Sequence, residues 1–180
     1  MLGRLTGGLV LAAAAALTIG AVAAPANAVS PAGKARGATT VTLDTDTIGA
    51  VVGLGLTPAA VSPGVLGGDP LQASFPIVGN SKGGMIKHTG GLSLSAGADT
   101  LALTNYTIDL NTGMLTAKAD LNGDSLGRIP LFDLGPAAVP GCVTAASLSL
   151  TADAADALTA IFGVPNLRGA DFGDACVAPR

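Results

Sequence analysis

Apolar and polar residues alternate along much of the chain, and this pattern predicts β-strands. It is clearest over residues 101–110 and 114–121, where a period of two is typical of a strand that buries one face. Asn111-Thr112-Gly113 lies between these two segments and favours a short hairpin turn. Shorter segments of the same kind occupy residues 39–43, 71–78, 84–88, 92–95 and 127–134.

Residues 42–51 and 149–158 depart from the β pattern and resemble each other. In each, a leucine ends a short strand, a residue suited to an N-cap follows, and an apolar run continues to a glycine. The pattern predicts two strand-then-helix units, with helices over residues 45–54 and 152–162. A chance match is the alternative, because alanine-rich sequences readily produce such similarities.

These elements predict a mainly β fold class, a single antiparallel β-sandwich or barrel-like domain with two short helices. We expect the domain to span residues 39–180, after a flexible leader at residues 29–38 that is rich in Pro, Gly and Ala. A mature chain of about 150 residues has the length of one domain and can bury a substantial core.

Residues 1–28 have the organisation of a bacterial signal peptide. Arg4 precedes an uncharged run from Gly7 to Ala24, and Ala26 and Ala28 have the A-x-A spacing that signal peptidase accepts. We therefore expect cleavage after Ala28 and a secreted protein, either extracellular or associated with the cell envelope, with no membrane insertion once the signal is removed. A retained membrane anchor is the alternative, because the apolar run approaches the length that crosses a bilayer.

Composition limits the core and the partners. Hydrophobic residues make up 49% of the chain but aromatic residues only 3%, so the core has to be built from aliphatic side chains and Ala. The formal net charge is −3, and every acidic residue is Asp. This balance argues against nucleic acid or an anionic membrane as a partner and leaves an unknown envelope or extracellular partner.

Cys142 and Cys176 are the two cysteines of the chain. Because export would bring them into an oxidising compartment, we expect them to form a disulfide. In the chain-entropy model, a loop of this length is worth about 3–4 kcal/mol of stability. Two cysteines and a single histidine do not make a metal ligand set, so no metal site is predicted.

Gly79-Asn80-Ser81-Lys82-Gly83 matches the G-x-S-x-G motif of serine hydrolases. That motif needs a helix directly after the serine, whereas residues 84–95 are β-like and rich in Gly. In the serine hydrolase fold the catalytic histidine lies far downstream of the serine. His88, the one histidine of this chain, follows Ser81 too closely for that arrangement. We therefore predict an exposed turn here, no catalytic residues and no enzyme activity, with a secreted serine hydrolase as a remote alternative.

Residues 86–94 form the most distinctive segment, Ile-x-His-x-Gly-Gly-Leu-x-Leu. Leu-x-Leu-x-Asn follows at residues 101–105, and Gly-x-Leu-Thr-Ala follows at residues 113–117. Over roughly residues 75–121 this combination resembles the haem-transport-associated (HtaA-like) surface domains of Gram-positive actinobacteria.

The resemblance implies haem as a cofactor and gives His88 a role. In that family the histidine of this motif supports a haem-ligating tyrosine that lies well upstream. The mature chain has no tyrosine upstream of His88, and its one tyrosine, Tyr106, lies downstream. His88 and Tyr106 are thus the cofactor-binding candidates if haem binds, but we expect His88 to be structural and the protein to lack a defined haem site.

From the sequence we therefore expect a secreted, non-catalytic envelope or extracellular binding module whose ligand is unknown and which needs no cofactor. The first alternative is an HtaA-like domain that binds haem or another small ligand. A pocket beside His88 and Tyr106 would favour that alternative, and a serine within hydrogen-bonding distance of His88 would favour the hydrolase.

Overall fold

The computed structural model describes residues 36–78 and 82–179. The predicted signal peptide at residues 1–28, its cleavage after Ala28, most of the leader at residues 29–38 and Ser81 lie outside the described residues. Strand pairing begins at Gly37, two residues before the predicted domain boundary at residue 39.

Strands dominate the described part of the chain, which also has two helices, and the predicted mainly β class is confirmed. The strands are β1 Gly37–Leu43, β2 Thr57–Val61, β3 Val65–Gly67, β4 Gln72–Pro76, β5 Met85–Lys87, β6 Gly91–Ala96, β7 Asp99–Asp109, β8 Met114–Leu121, β9 Asp124–Pro136, β10 Thr144–Leu150 and β11 Asp171–Pro179. The helices are α1 Thr45–Gly53 and α2 Ala152–Phe162.

All eleven strands belong to one antiparallel sheet in the order β2-β6-β7-β8-β9-β10-β11-β1-β4-β3, with β5 paired to β7. The two ends of this order, β2 and β3, are joined by residues 62–64 alone. The sheet therefore curls back on itself into a nearly closed barrel, and of the two predicted architectures the barrel-like one is observed.

Glycines permit the close approach of backbones where the barrel closes. Gly90 has φ +76°, and a Cβ placed on it would meet the backbone nitrogen of Gly64 in the β2–β3 connection. A Cβ on Gly91 would meet the carbonyl oxygen of Leu103 on β7. The Gly-Gly pair of the distinctive motif therefore has a structural role, because only residues without a side chain fit this junction.

The two predicted strand-then-helix units are confirmed. β1 ends at Leu43 and β10 at Leu150, and both strands pair with β11 from opposite sides. Each helix has the predicted cap, since Asp44 accepts a hydrogen bond from the backbone of Thr47 and Thr151 accepts one from Ala154. The repeat thus places one helix beyond the end of each strand that flanks β11.

The core lies inside the barrel, where the inward-facing residues of the strands meet apolar residues of the helices. Val51 of α1 is buried, as are Ala154, Ala155 and Leu158 of α2. Aliphatic side chains and Ala make up most of this core, as the composition predicts. Among the aromatic side chains, Phe75 and Tyr106 pack edge to face with ring centroids 4.8 Å apart, and Phe132 and Phe172 lie 5.2 Å apart.

Cys142 and Cys176 form the predicted disulfide, with their Cα atoms 5.7 Å apart. The bond attaches the segment before β10 to β11, the strand that lies between the two repeat units. Neither helix of the described residues has the length and apolar character that a membrane crossing requires.

Candidate functional site

The interior of the barrel contains an apolar cavity of about 90 Å³. It extends from α1, where Ile48 and Val51 line it, towards the opposite end of β1. Every lining residue is apolar except three, which are Thr39, His88 and Tyr106. All three are buried, so the interior combines apolar walls with a single polar cluster, which we call the Thr39–His88–Tyr106 cluster.

The strands explain why these three side chains meet. Thr39 is the first inward-facing residue of β1 that is fully buried, followed by Val41 and Leu43. His88 follows β5 and forms an isolated bridge with Ile77, which is also buried. On its other side β5 pairs with β7, and the backbone N–H of His88 donates to the carbonyl oxygen of Tyr106 at 2.8 Å, which places the two residues side by side.

A β-bulge in β7 turns Tyr106 into the interior. The register with β8 shifts between Thr104 and Thr107, and Asn105 within the bulge has φ +51°. Leu101 and Leu103 face inward before the bulge, whereas Tyr106 and Ile108 face inward after it. In a regular strand with no bulge, the alternation that starts at Leu101 and Leu103 would place Tyr106 on the outer face of the sheet.

Hydrogen bonds define the state of the His88 ring. Nδ1 lies 3.4 Å from the carbonyl oxygen of Tyr106, which can only accept, so Nδ1 carries the ring hydrogen. Nε2 is then an acceptor, and the Thr39 hydroxyl donates to it at 2.7 Å. The Tyr106 hydroxyl accepts from the backbone N–H of Leu92 at 3.0 Å. The Nε2 lone pair, through which His88 could ligate a metal, therefore already accepts a hydrogen bond from Thr39.

Burial shifts the pKa of both rings towards their neutral forms. Burial lowers the pKa of His88 to about 4, and the hydrogen bond to the carbonyl of Tyr106 opposes this shift only in part. Burial also raises the pKa of Tyr106, and the N–H of Leu92 opposes that rise only in part. At neutral pH the cluster therefore carries no charge, which suits an apolar interior.

Sequence reasoning identified two of these three residues. The structure brings the two haem-ligand candidates, His88 and Tyr106, into contact, and this contact runs through the Tyr106 backbone oxygen rather than its hydroxyl. Thr39 was missed, although it stands at an inward position of a predicted strand. It lies upstream of His88 in the chain and donates its hydroxyl to the imidazole ring.

The hydrolase alternative has no support in the described residues. Directly after Ser81 there is only a three-residue 3-10 helix at Lys82–Gly84, and the chain then continues into β5 and β6 rather than into an α-helix. The hydroxyl that contacts Nε2 of His88 belongs to Thr39, which is buried inside the barrel. The described residues also contain no cluster of His, Cys, Asp or Glu that could hold a metal ion.

No family model matches the sequence, and no curated protein matches it. Two solved structures from Corynebacterium glutamicum are similar to it. The C-terminal domain of HtaA has 16% identity and a TM-score of 0.54, over 78% of this chain and 94% of that one. The chain has an HtaA-like fold. The haem-binding protein HtaB has 14% identity and a TM-score of 0.51, over 77% of this chain and 89% of that one.

The HtaA-like fold confirms the resemblance that the residues around His88 indicate. At these identities the similarity concerns the fold, and the residues of the site have to be judged by their own chemistry.

Proposed function

We propose that this chain is a non-catalytic binding domain of HtaA-like fold, which takes a small and largely apolar ligand into the barrel beside the Thr39–His88–Tyr106 cluster. The observation that carries the proposal is the cavity, whose lining is apolar except for that cluster. A purely apolar cavity of about 150 Å³ stays dry and binds benzene or xenon, and this cavity is of the same order of size. An apolar pocket with a few convergent polar groups is the usual form of a small-molecule site.

The chemistry of His88 supports binding rather than catalysis. With a pKa of about 4, its imidazole is a weak base at neutral pH. Its Nε2 faces a threonine hydroxyl on a strand inside the barrel, where a bulky substrate has no access. The cluster therefore suits the positioning of a ligand better than the activation of a nucleophile.

We also propose that the domain acts outside the cytoplasm, in the extracellular space or at the cell envelope. The signal-peptide pattern of residues 1–28 supports export, with Ala28 as the residue before the cleavage site. The disulfide between Cys142 and Cys176 supports an oxidising compartment.

Haem is the second candidate ligand, and the similarity to HtaB, a haem-binding protein, favours it. The interior cavity does not fit a haem in its present arrangement. The interior cavity of about 90 Å³ is well below the ~300 Å³ and more of sites for drug-sized ligands. Haem iron also needs a strong axial donor, whereas Nε2 of His88 is engaged by Thr39 and the Tyr106 ring is buried.

Benzene is a suitable probe of the main proposal. We expect it to cause saturable shifts in the methyl NMR signals of Leu103 and Ile108, which line the cavity. Leu103→Phe fills part of the cavity and should remove the effect. Leu126→Phe is the matched control, because Leu126 is 51% exposed and lies outside the cavity. Shifts confined to exposed methyl groups, or unchanged in Leu103→Phe, would contradict interior binding.

Titration with haemin, followed at the Soret band, tests whether haem is the ligand. We expect no saturable one-to-one complex, because Nε2 of His88 is engaged by Thr39 and the Tyr106 ring is buried. A saturable complex that His88→Gln or Tyr106→Phe abolishes, in variants whose circular dichroism shows an intact fold, would establish haem as the ligand instead.

A further inference from the structure

A second depression opens on the outer face of the sheet, and His88 is the one residue that lines both this depression and the interior cavity. It is an open groove of about 390 Å³, formed by side chains at β5, β7, β8 and β9. We call it the outer groove. Its lining includes two cationic residues, Lys87 and Arg128, and no acidic residue. This is notable in a chain whose formal net charge is −3.

Arg128 is held in place by neutral acceptors. Its Nη2 donates to the carbonyl oxygen of Asn105 at 3.0 Å, and its Nη1 donates to the hydroxyl of Thr116 at 3.1 Å. The Asn105 carbonyl belongs to the β7 bulge, where the backbone has φ +51°. The bulge thus both turns Tyr106 inward and positions the guanidinium over the outer groove.

The two cations stand on β5 and β9 and approach the same residue of β7, Thr107. Lys87 of β5 stands opposite Thr107 of β7, and Nη1 of Arg128 reaches to within 3.5 Å of the Thr107 hydroxyl. Side chains that stand opposite each other in a sheet lie about 5 Å apart at their Cβ atoms. One small anionic group placed near Thr107 is therefore within reach of both cations.

Neither cation has an acidic partner among the described residues. The ion pair found in that part of the chain joins Lys118 and Asp120 at 3.0 Å. Lys118 lies on the outer face opposite Arg128, but it lies outside the lining of the outer groove. The same sheet face therefore carries one neutralised lysine and a groove with two cations that lack a counter-charge.

We propose that the outer groove binds a small carboxylate that carries a short apolar chain. Arg128 and Lys87 would hold the carboxylate, since a positioned guanidinium forms strong charge-assisted hydrogen bonds with it. Met85 and Val78 would contact the chain, because both are apolar, line the groove and are 39% and 37% exposed. This site shares only His88 with the lining of the interior cavity and takes a different class of ligand.

Octanoate and octan-1-ol provide the test, since they have the same chain length and differ in charge. We expect octanoate to bind saturably, with amide NMR shifts centred on Thr107 and Thr116, and octan-1-ol to cause no such shifts there. Arg128→Gln and Lys87→Gln should each weaken octanoate binding by about tenfold. Lys118→Gln is the matched control and should leave the affinity unchanged.

Equal shifts from octan-1-ol, or an affinity that Arg128→Gln leaves unchanged, would overturn the proposal. Arg128→Lys keeps the charge but loses the two-pronged geometry, so we expect an intermediate affinity. Failure here is distinguishable from failure of the interior site, because interior binding is followed at the methyl groups of Leu103 and Ile108 and is removed by Leu103→Phe.

Discussion

At the scale of single residues, His88 carries most of the information about the site. The motif around it identified the segment, but the environment of the ring depends on residues far away in the chain. Thr39 supplies the hydroxyl for Nε2, and Tyr106 supplies the backbone oxygen for Nδ1. Neither contact follows from sequence spacing, because both depend on how β1 and β7 come together in the barrel.

The pKa of His88 leads to a prediction about acid stability. A histidine in the unfolded chain titrates near 6.5, whereas burial lowers the pKa of His88 in the folded chain to about 4. Between these values the unfolded chain binds more protons, so the free energy of unfolding decreases as the pH falls through this window. The total loss should be about 3 kcal/mol.

Chemical denaturation between about pH 7 and pH 4.5 measures this loss. His88→Gln is the control, because it cannot be protonated there and should remove most of the slope. A wild-type slope equal to that of His88→Gln would show that the ring is accessible to protons in the folded chain.

At the scale of elements, the two helices were predictable because their signals are local. A leucine-terminated strand, an N-cap and a glycine beyond the helix all lie within about three turns of one another. β11 was missed for the opposite reason. Its buried positions are Gly173, Ala175 and Val177, so small residues replace the large apolar ones that mark most strands.

The bulge in β7 had a signal in the sequence. The apolar positions are 101 and 103 and then 106, 108 and 110, so their parity changes at Asn105. A change of parity within one strand requires an extra residue. Read in that way, the sequence would have indicated that Tyr106 faces inward and that Asn105 faces outward.

The cap of α2 provides a prediction at this scale. The Thr151 hydroxyl accepts from the backbone of Ala154 and donates to the carbonyl oxygen of Pro130 on β9. Thr151→Ala removes both hydrogen bonds and should lower the free energy of unfolding by about 1–2 kcal/mol. Thr151→Ser retains the hydroxyl and should lose much less. Equal losses in urea denaturation would mean that packing of the methyl group, rather than capping, holds this end of the helix.

At the scale of the whole molecule, the barrel closes through backbone contacts that few sequence rules describe. The predicted fold class left sandwich and barrel open, because strand patterns do not specify which edges meet. The connection through Gly64 joins the two ends of the strand order, and Gly90 lies against its backbone. Closure is what encloses the apolar cavity and thereby creates the proposed interior site.

Closure is testable with two matched glycine variants. Gly90 and Gly97 both have positive φ, at 76° and 60°, but a Cβ on Gly97 would meet no atom within 4 Å. Gly97→Ala should cost about 1 kcal/mol of stability for the left-handed backbone alone. Gly90→Ala adds a collision with the backbone of Gly64 and should cost at least about 2 kcal/mol more. Similar melting temperatures for the two variants would contradict a tightly closed barrel.

Xenon binding in a crystal tests the proposed interior site most directly. Xenon enters dry apolar cavities and is seen by its strong scattering. We expect a single xenon atom inside the barrel, between Val51 of α1 and the Thr39–His88–Tyr106 cluster, with the side chains of Leu103 and Ile108 in contact. An interior that excludes xenon, or one filled by ordered waters bonded to His88, would contradict an apolar ligand site.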